Sequence, residues 1–482
     1  MEQSNSPLPF RVPAGYSGIK RSLVLAGGGM RLAYQAGVLK ALEEEGLQFT
    51  HADATSGGIF NLAMLLSGLS TAEMCNNWST VRIKDFISYL PLRKYLSPLQ
   101  LPAFGDADGI ARKVFPHLGI SVNRIRQEER LAGTFNVCNY SWKTNEAIPH
   151  PHVQLQHLIA GVSLPMLMPA LKIGADWYID AVWIKDANLL EAVKRGAEEI
   201  WLVWAIGNQH QYQGGSFRQY VHMIEMSANG ALFAEFDYIN ELNSRIEKGD
   251  SPYGQKQEVK VHIIKPEYPL PLDNDLYFNR INTTTLIEMG YADAKEYCIN
   301  ASQYPAPPSP QSTKMQEPGV AFSCRARLMG QLQDREALLH LSFSIHDVEH
   351  FVEAHHPYRL VASLSFTTAD LTYYGYQGRL VVGPGAAEGT KSGRFSFRIG
   401  ISGEDYFMQG SWPLHTTSTA SRAVEIALHK GSSAAGELVA SSCFTTTATD
   451  WRYLQKSFSF YNTRSWIEKR KAKQKLKSYF FV

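Results

Sequence analysis

The chain has 482 residues, with 47 basic and 45 acidic side chains and a formal net charge of +2. Hydrophobic residues make up 44% and charged residues 19%, which allows sizeable cores and excludes an intrinsically disordered chain. The near-zero charge argues against a nucleic-acid partner, since any basic surface would have to be local. At about 150 residues per domain, the length indicates two or three domains.

Nothing in the sequence predicts secretion or a membrane-spanning segment. The five cysteines are scattered without a CxxC pair, and no His cluster has metal-ligand spacing, so neither a disulfide scaffold nor a structural zinc site is expected, and a reducing, cytoplasmic compartment fits. Residues 1–7 lack the basic and apolar regions of a signal peptide. No stretch reaches about 18 uninterrupted apolar residues, so we predict a soluble protein or one that is peripheral at a membrane.

Short apolar segments alternate with helical patterns over residues 20–300. Tyr34, Val38 and Ala41 have helical spacing, for example, and follow the first apolar segment. The run 200–206 is continuously apolar, as expected of a strand covered on both faces. This alternation predicts an α/β domain with a mainly parallel sheet. The strand candidates are 22–26, 52–55, 134–140, 200–206 and 259–264.

The clearest domain boundary is a proline-rich segment over residues 302–319, which predicts an extended linker. Beyond it the hydrophobic period changes to two, since Leu339, Leu341 and Phe343 alternate with polar residues. We therefore predict an all-β domain over residues 320–463, an antiparallel sandwich or barrel, and a basic tail over residues 464–482.

Three consecutive glycines, Gly27, Gly28 and Gly29, stand between the first strand and the first helix, and Arg31 follows them. Such a turn directs free N–H groups at the helix N-terminus, where an anion is stabilised. A dinucleotide-binding fingerprint would require glycine at position 32, where this sequence has leucine. A Walker loop would require the sequence GK[ST], which is absent here. A glycine turn without a ligand stays open as the alternative.

A second motif, Thr55-Ser56-Gly57-Gly58, lies between the next apolar run and the next helix. A serine at such a strand-to-helix turn, with small neighbours, is typical of a nucleophile elbow. Serine is also a common helix N-cap, so the motif alone leaves both readings open.

Asp180 ends another short apolar stretch and precedes a small residue, as expected of a carboxylate that faces a pocket from a strand end. An aspartate of adjusted pKa could accept a serine proton directly, because no histidine of this region lies in a motif that marks a base. A turn aspartate is the alternative.

Taken together, these motifs resemble the patatin-like phospholipase family over about residues 20–300. The glycines with Arg31 look like its GGGxRG oxyanion loop, and Ser56 matches its GxSxG nucleophile. Residues 163–169 are similar to its S-x-P-x-x-F-P segment, Asp180 matches the aspartate of DGG/DGA, and Asn188-Leu189 resembles the N-L/P that follows.

The resemblance implies a Ser56–Asp180 catalytic dyad without a metal or cofactor. Gly27, Gly28 and Gly29, with Arg31, would form the oxyanion hole, and the substrate would be a lipid at a membrane or micelle surface. Leu32, Ala54 and Ala181 depart from the family pattern, but none of them replaces a reacting group.

The C-terminal half of the sequence contains fewer indications of function. The region around residues 343–357 faintly resembles an accessory domain of some sterol-oxidising GMC flavoenzymes, and the basic tail with its aromatic tip could bind anionic lipid or be solvated. Two functions remain: a lipid acyl hydrolase of the phospholipase A type, or a non-catalytic lipid- or membrane-binding protein on the same fold. The lipid class and the oligomeric state stay open.

Overall fold

The chain forms two compact units, described here from a computed structural model. The described residues are 8–29, 31–86, 103, 105–208, 214–270, 282–301, 305–354, 358–367, 371–384, 391–413, 422–463 and 465–480. The first unit comprises Met1–Phe278 and Tyr297–Gln316, and the second comprises Asn279–Glu296 and Glu317–Val482. Residues 302–304 of the predicted linker, 355–357, and residues 464, 481 and 482 of the predicted tail lie outside the described residues.

The first unit is built on a mixed β-sheet. Its strands are β1 (Arg21–Leu25), β2 (His51–Thr55), β3 (Ala132–Asn139), β4 (Thr144–Pro149), β5 (Leu171–Ile173), β6 (Asp176–Ile179), β7 (Glu199–Val203) and β8 (Lys260–Ile264). They lie in the order β5-β6-β3-β2-β1-β7-β8, and β4 also pairs with β3. The pairings from β3 through β2, β1 and β7 to β8 are parallel, whereas β4, β5 and β6 pair antiparallel. The predicted α/β class with a mainly parallel sheet is confirmed.

Helices cover the sheet. They are α1 (Ala33–Glu44), α2 (Gly58–Leu66), α3 (Thr71–Thr80), α4 (Phe115–His117), α5 (Val122–Arg126), α6 (Leu155–Gly161), α7 (Leu189–Lys194) and α8 (Ser216–Glu247), with short 3-10 or π turns at Ile83–Phe86, Ile110–Val114, His150–His152 and Ala181–Trp183. On one side, Leu232 and Phe236 of α8 share a core with Val24 and Leu202 of the central strands. Residues 22–25 of β1 and all residues of β7 are buried, which explains why the central strands read as apolar runs.

The parallel pairing of β1 with β2 places two loops side by side. Leu25, the last residue of β1, lies opposite Ala54 of β2. Because the carboxyl ends of adjacent parallel strands meet at one edge of a sheet, the glycine loop and the Ser56 turn both start at this edge.

Part of the proline-rich segment packs on the first unit. It contains a 3-10 turn at Pro310–Thr313, the side chains of Thr313 and Met315 are buried, and Asn240 Nδ2 of α8 donates to the carbonyl of Pro308 at 3.0 Å. The role of this segment as a linker between two domains stays a prediction.

The second unit contains a closed antiparallel β-barrel. Its strands are β9 (Ala321–Leu332), β10 (Arg335–Ile345), β11 (Tyr358–Phe366), β12 (Leu371–Pro384), β13 (Lys391–Ile401), β14 (Glu404–Pro413), β15 (Arg422–Lys430) and β16 (Leu438–Thr446). Each strand pairs with the next one, and β16 returns to β9 with Thr445 opposite Met329. A short strand, β17 (Ser459–Tyr461), adds to β9. The barrel is one of the two architectures that the alternating pattern predicted.

The barrel core consists of the alternating apolar residues, Leu339, Leu341 and Phe343 among them. His340, on the other face of β10, is buried as well. Its ring is hydrogen-bonded at 2.6 Å to Glu288 of helix α9 (Thr283–Asn300), which lies over it. The described residues of this unit also form the helices α10 (Val348–Ala354), α11 (Ala448–Ser457) and α12 (Trp466–Phe480). The described part of the predicted basic tail is therefore helix α12, whose Leu476 packs into the barrel core.

Candidate active site

Ser56 joins β2 to α2 in a left-handed backbone conformation, with φ of 52°. A non-glycine residue adopts this conformation at a cost of about 1–2 kcal/mol, so the fold must enforce it. The next two residues must be small, because a Cβ on Gly58 would overlap the carbonyl of Leu25 and a Cβ on Gly57 would press on Leu32. Helix α2 has no side-chain cap, so the structure shows the elbow geometry and no capping role for Ser56.

Asp180 lies beside Ser56 at the end of β6. The Ser56 hydroxyl donates to Asp180 Oδ2 at 2.6 Å, across 124 residues of sequence. The other carboxylate oxygen accepts the Val182 N–H at 2.9 Å and so caps the short turn Ala181–Trp183. The Asp180 N–H donates to the carbonyl of Ser163 at 3.1 Å. Asp180 is thus both a turn residue and the partner of the elbow serine.

Burial adjusts the acidity of Asp180. The residue is 1% exposed, and the loss of hydration raises the pKa of its carboxyl group to about 7, against the opposing effect of the hydrogen bonds from Ser56 and Val182. A carboxyl group with this pKa is ionised in a large fraction of molecules at neutral pH and is basic enough to take a proton.

No histidine shares this hydrogen bond. Within the described part of the chain, Ser56 Oγ is bonded to Asp180 and to no imidazole. His51, five residues upstream on β2, is held by Ser22 at 2.6 Å and by Thr134 at 3.0 Å. Burial lowers the pKa of His51 well below its usual value, which keeps the ring neutral.

The glycine loop follows β1 next to the elbow. Gly29 has φ of 60°, which favours glycine, and a Cβ on Gly28 would lie 3.2 Å from the Ala205 side chain. The buried Arg31 holds the turn through its Nε, which donates to the carbonyl of Gly28 at 2.8 Å. Gln35 of α1 binds the carbonyl of Ala26 at 2.6 Å in the same way. The loop is therefore fixed by side chains before any ligand binds.

The three glycines differ in the state of their N–H groups. The Gly27 N–H donates to Asp186 Oδ2 at 3.1 Å, so it is already occupied. Among the described residues, no acceptor binds the N–H groups of Gly28 and Gly29. Gly27 also lacks room for a side chain, because a Cβ there would overlap Asp186 Oδ1 and lie 2.9 Å from Ser56 Cβ.

Sequence reasoning missed Asp186. It is fully buried, and its pKa is raised well above the usual value by the loss of hydration and by the nearby Asp180. The signal that could have found it is the acidic residue six positions after Asp180, in a segment that is otherwise poor in charge.

A buried polar network below the elbow was also missed. Asp53 of β2 accepts hydrogen bonds from Thr134 at 2.5 Å and from Asn136 at 2.6 Å, and burial raises its pKa to about 8. Asn136 also donates to the carbonyl of Ala54 at 3.1 Å and accepts from Asn188 at 2.8 Å. Asn136 thereby ties β2 to the segment that follows Asp180. A buried aspartate and asparagine inside apolar strands were the available signal.

The described residues show neither a metal-binding cluster nor a membrane-spanning helix. They contain no group of three or more His, Cys, Asp or Glu side chains that could hold a metal ion. None of the helices they form is long and apolar enough to cross a membrane.

Comparisons with known proteins agree with the resemblance. Residues 23–193 match the model of the Patatin-like phospholipase family. Eleven solved chains match, among them VipD from Legionella pneumophila at 12% identity, covering 61% of this chain and 71% of that chain with a TM-score of 0.30. That TM-score is too low to support a conclusion. No curated protein sequence matches. The family match does not reach the barrel, so the resemblance to a GMC accessory domain has no support beyond the sequence.

Proposed function

We propose that this protein, whose residues 23–193 match the model of the Patatin-like phospholipase family, is a lipid acyl hydrolase that cleaves ester-linked fatty acids with a Ser56–Asp180 dyad. The observation that carries the proposal is the 2.6 Å hydrogen bond from Ser56 Oγ to Asp180 Oδ2, made by a serine in an elbow of positive φ. A nucleophile and a base within hydrogen-bond reach are the minimum that covalent ester hydrolysis requires.

In the first half-reaction, Ser56 Oγ attacks the ester carbonyl carbon while Asp180 Oδ2 takes its proton. The carbonyl oxygen becomes an oxyanion, for which the N–H groups of Gly28 and Gly29 are available donors among the described loop residues. When the C–O bond breaks, Asp180 returns the proton to the departing alcohol, and the acyl group remains on Ser56.

Water completes the reaction. It attacks the acyl carbon while Asp180 again accepts a proton, and the Ser56 oxygen leaves and recovers that proton as the fatty acid departs. The carboxyl group ends each cycle ionised. Its pKa of about 7 suits both directions of proton transfer near neutral pH.

Exposed apolar residues near the dyad fit a substrate presented at a lipid surface. Trp177 of β6 lies three residues before Asp180 and is 47% exposed, and Tyr140, whose N–H donates to the carbonyl of Trp177 at 2.7 Å, is 51% exposed. Trp142 is 72% exposed on the same turn. Aromatic side chains with a polar edge favour the interface between lipid and water.

The test is fatty-acid release from phospholipid vesicles and from monomeric esters, with Ser56→Ala as the variant. Ser163→Ala is the matched control, because Ser163 is buried beside Asp180 and its hydroxyl donates to the carbonyl of Ile159 at 2.8 Å. We expect Ser56→Ala to lose turnover and Ser163→Ala to keep it. Equal activity of Ser56→Ala and wild type would remove the nucleophile assignment. Lipid binding without turnover in wild type would favour the non-catalytic alternative.

A further inference from the structure

Asp186 is a buried carboxyl group next to the dyad that the proposed mechanism does not use. It lies six residues after Asp180, and its Oδ2 accepts the Gly27 N–H at 3.1 Å. Its Oδ1 is buried and has no hydrogen-bond partner among the described residues. This oxygen and Ser56 Cβ both lie against the space that a Gly27 side chain would fill, so Oδ1 is a neighbour of the nucleophile.

The two buried carboxyl groups have unequal surroundings. Asp180 accepts a hydrogen bond on each oxygen, from the Ser56 hydroxyl and from the Val182 N–H, as an anion requires. Asp186 accepts a single bond, which leaves a buried anion there largely uncompensated. When two such groups lie close together, the carboxyl group that accepts more hydrogen bonds ionises first, and the other retains its proton.

The charged groups that act on Asp186 strengthen this difference. The charge of Asp180 disfavours a second negative charge on Asp186. The Arg31 guanidinium favours that charge, but its effect is smaller than the opposing effect of burial. Arg31 is oriented by its bond to the carbonyl of Gly28. The neighbouring Lys185 is paired with Glu235 and acts on that carboxylate instead. Burial and the nearby Asp180 raise the pKa of Asp186 well above its usual range, against the smaller opposing effects of the Gly27 hydrogen bond and the Arg31 charge.

We propose that Asp186 is a positioning residue that acts as an uncharged carboxylic acid. It holds the Gly27 amide and thereby the glycine loop. Its carbonyl oxygen accepts the Gly27 N–H and fixes the loop in the position that leaves the Gly28 and Gly29 amides free. Ionisation would add a second buried negative charge beside the developing oxyanion and oppose its formation. This inference rests on the proposed function only where activity is the readout.

The test compares Asp186→Asn with Asp186→Ala. Asparagine is the neutral analogue, because its amide oxygen can accept the Gly27 N–H, whereas alanine removes the acceptor. We expect Asp186→Asn to keep at least a third of the wild-type kcat/KM at pH 7.5, since a carboxylic acid and an amide offer the same acceptor. We expect Asp186→Ala to lower kcat/KM about tenfold or more. Complete loss of one oxyanion donor lowers a rate by about 10²–10³, and a misplaced donor should cost part of that.

The pH profile separates a neutral acid from a merely structural contact. Wild-type activity should decline at high pH as Asp186 ionises, and Asp186→Asn should not show this decline. A loss in Asp186→Asn equal to that in Asp186→Ala would overturn the proposal, and so would an unaffected Asp186→Ala.

Thermal unfolding provides a readout that does not depend on catalysis. A carboxyl group whose pKa is raised by folding contributes stability that is fully present below its unfolded pKa and is lost as the pH rises through the folded pKa. The melting temperature of wild type should therefore fall more steeply between pH 6 and pH 10 than that of Asp186→Asn. Parallel curves would refute the neutral acid even if wild type proved inactive, in which case the proposed function would fail separately.

Discussion

Replacing Asp180 by asparagine tests the general base. The amide keeps the shape of the carboxylate, and its oxygen can still accept the Ser56 hydroxyl proton in a hydrogen bond, but it cannot remove that proton. General-base catalysis typically contributes about 10²–10⁴ to a rate, so we expect Asp180→Asn to lose at least a hundredfold in kcat/KM.

The pKa of Asp180 determines how the wild-type rate falls at acidic pH, that is, the acid limb of the pH–rate profile. With a pKa of about 7, about one molecule in a hundred carries the ionised base at pH 5. The rate should therefore fall tenfold for each pH unit below 7 and reach about a hundredth of its plateau at pH 5. A non-ionisable soluble ester, followed in a stopped assay from pH 4.5 to 8, measures this limb without titrating the substrate.

Asp176→Asn is the matched control, because Asp176 lies four residues earlier at the start of β6 and makes no contact with Ser56. It should keep both the wild-type rate and the acid limb. Retention of more than about a tenth of the rate by Asp180→Asn, with an unchanged circular dichroism spectrum, would refute the dyad. An acid limb midpoint near pH 4 would show that Asp180 is not desolvated as the structure describes.

Three further predictions concern the surroundings of the dyad. Gly27→Ala should lose activity at least tenfold more than Gly28→Ala in the soluble-ester assay, because a Cβ at Gly27 overlaps Asp186, whereas one at Gly28 meets the Ala205 methyl group at 3.2 Å; equal losses would contradict this. Trp142→Ser should weaken sedimentation with phospholipid vesicles and lower vesicle hydrolysis, while soluble-ester turnover stays within twofold; a loss on both substrates would instead indicate damage to the site. Asn136→Ala should lower the melting temperature and kcat together, since Asn136 joins the elbow strand to the Asp180 segment, and an unchanged melting temperature would contradict that role.

The parts of the fold that sequence predicted are those governed by local pattern. Strand β7 reads as a largely apolar run because all of its residues are buried, and β10 alternates because one of its faces lines the barrel core. The Ser56 turn was identifiable because its small neighbours, Gly57 and Gly58, are adjacent in sequence and are required by the tight packing there.

The rest depended on contacts between distant segments. Asp186 reaches Gly27 across 159 residues, and neither residue type alone indicates the pairing. The choice between a sandwich and a barrel was open, because closure depends on the return of β16 to β9. The alternating pattern places His340 on the outer face of β10 but does not reveal that Glu288, 52 residues away in sequence, is hydrogen-bonded to its buried ring.

Active-site labelling identifies the nucleophilic residue. A fluorophosphonate probe reacts with an activated serine whatever the natural substrate is, and mass spectrometry of the digested protein locates the adduct. We expect one adduct on Ser56, which disappears in Ser56→Ala and Asp180→Asn and persists in Ser163→Ala. An adduct on another serine, or no adduct on folded wild-type protein, would contradict this expectation.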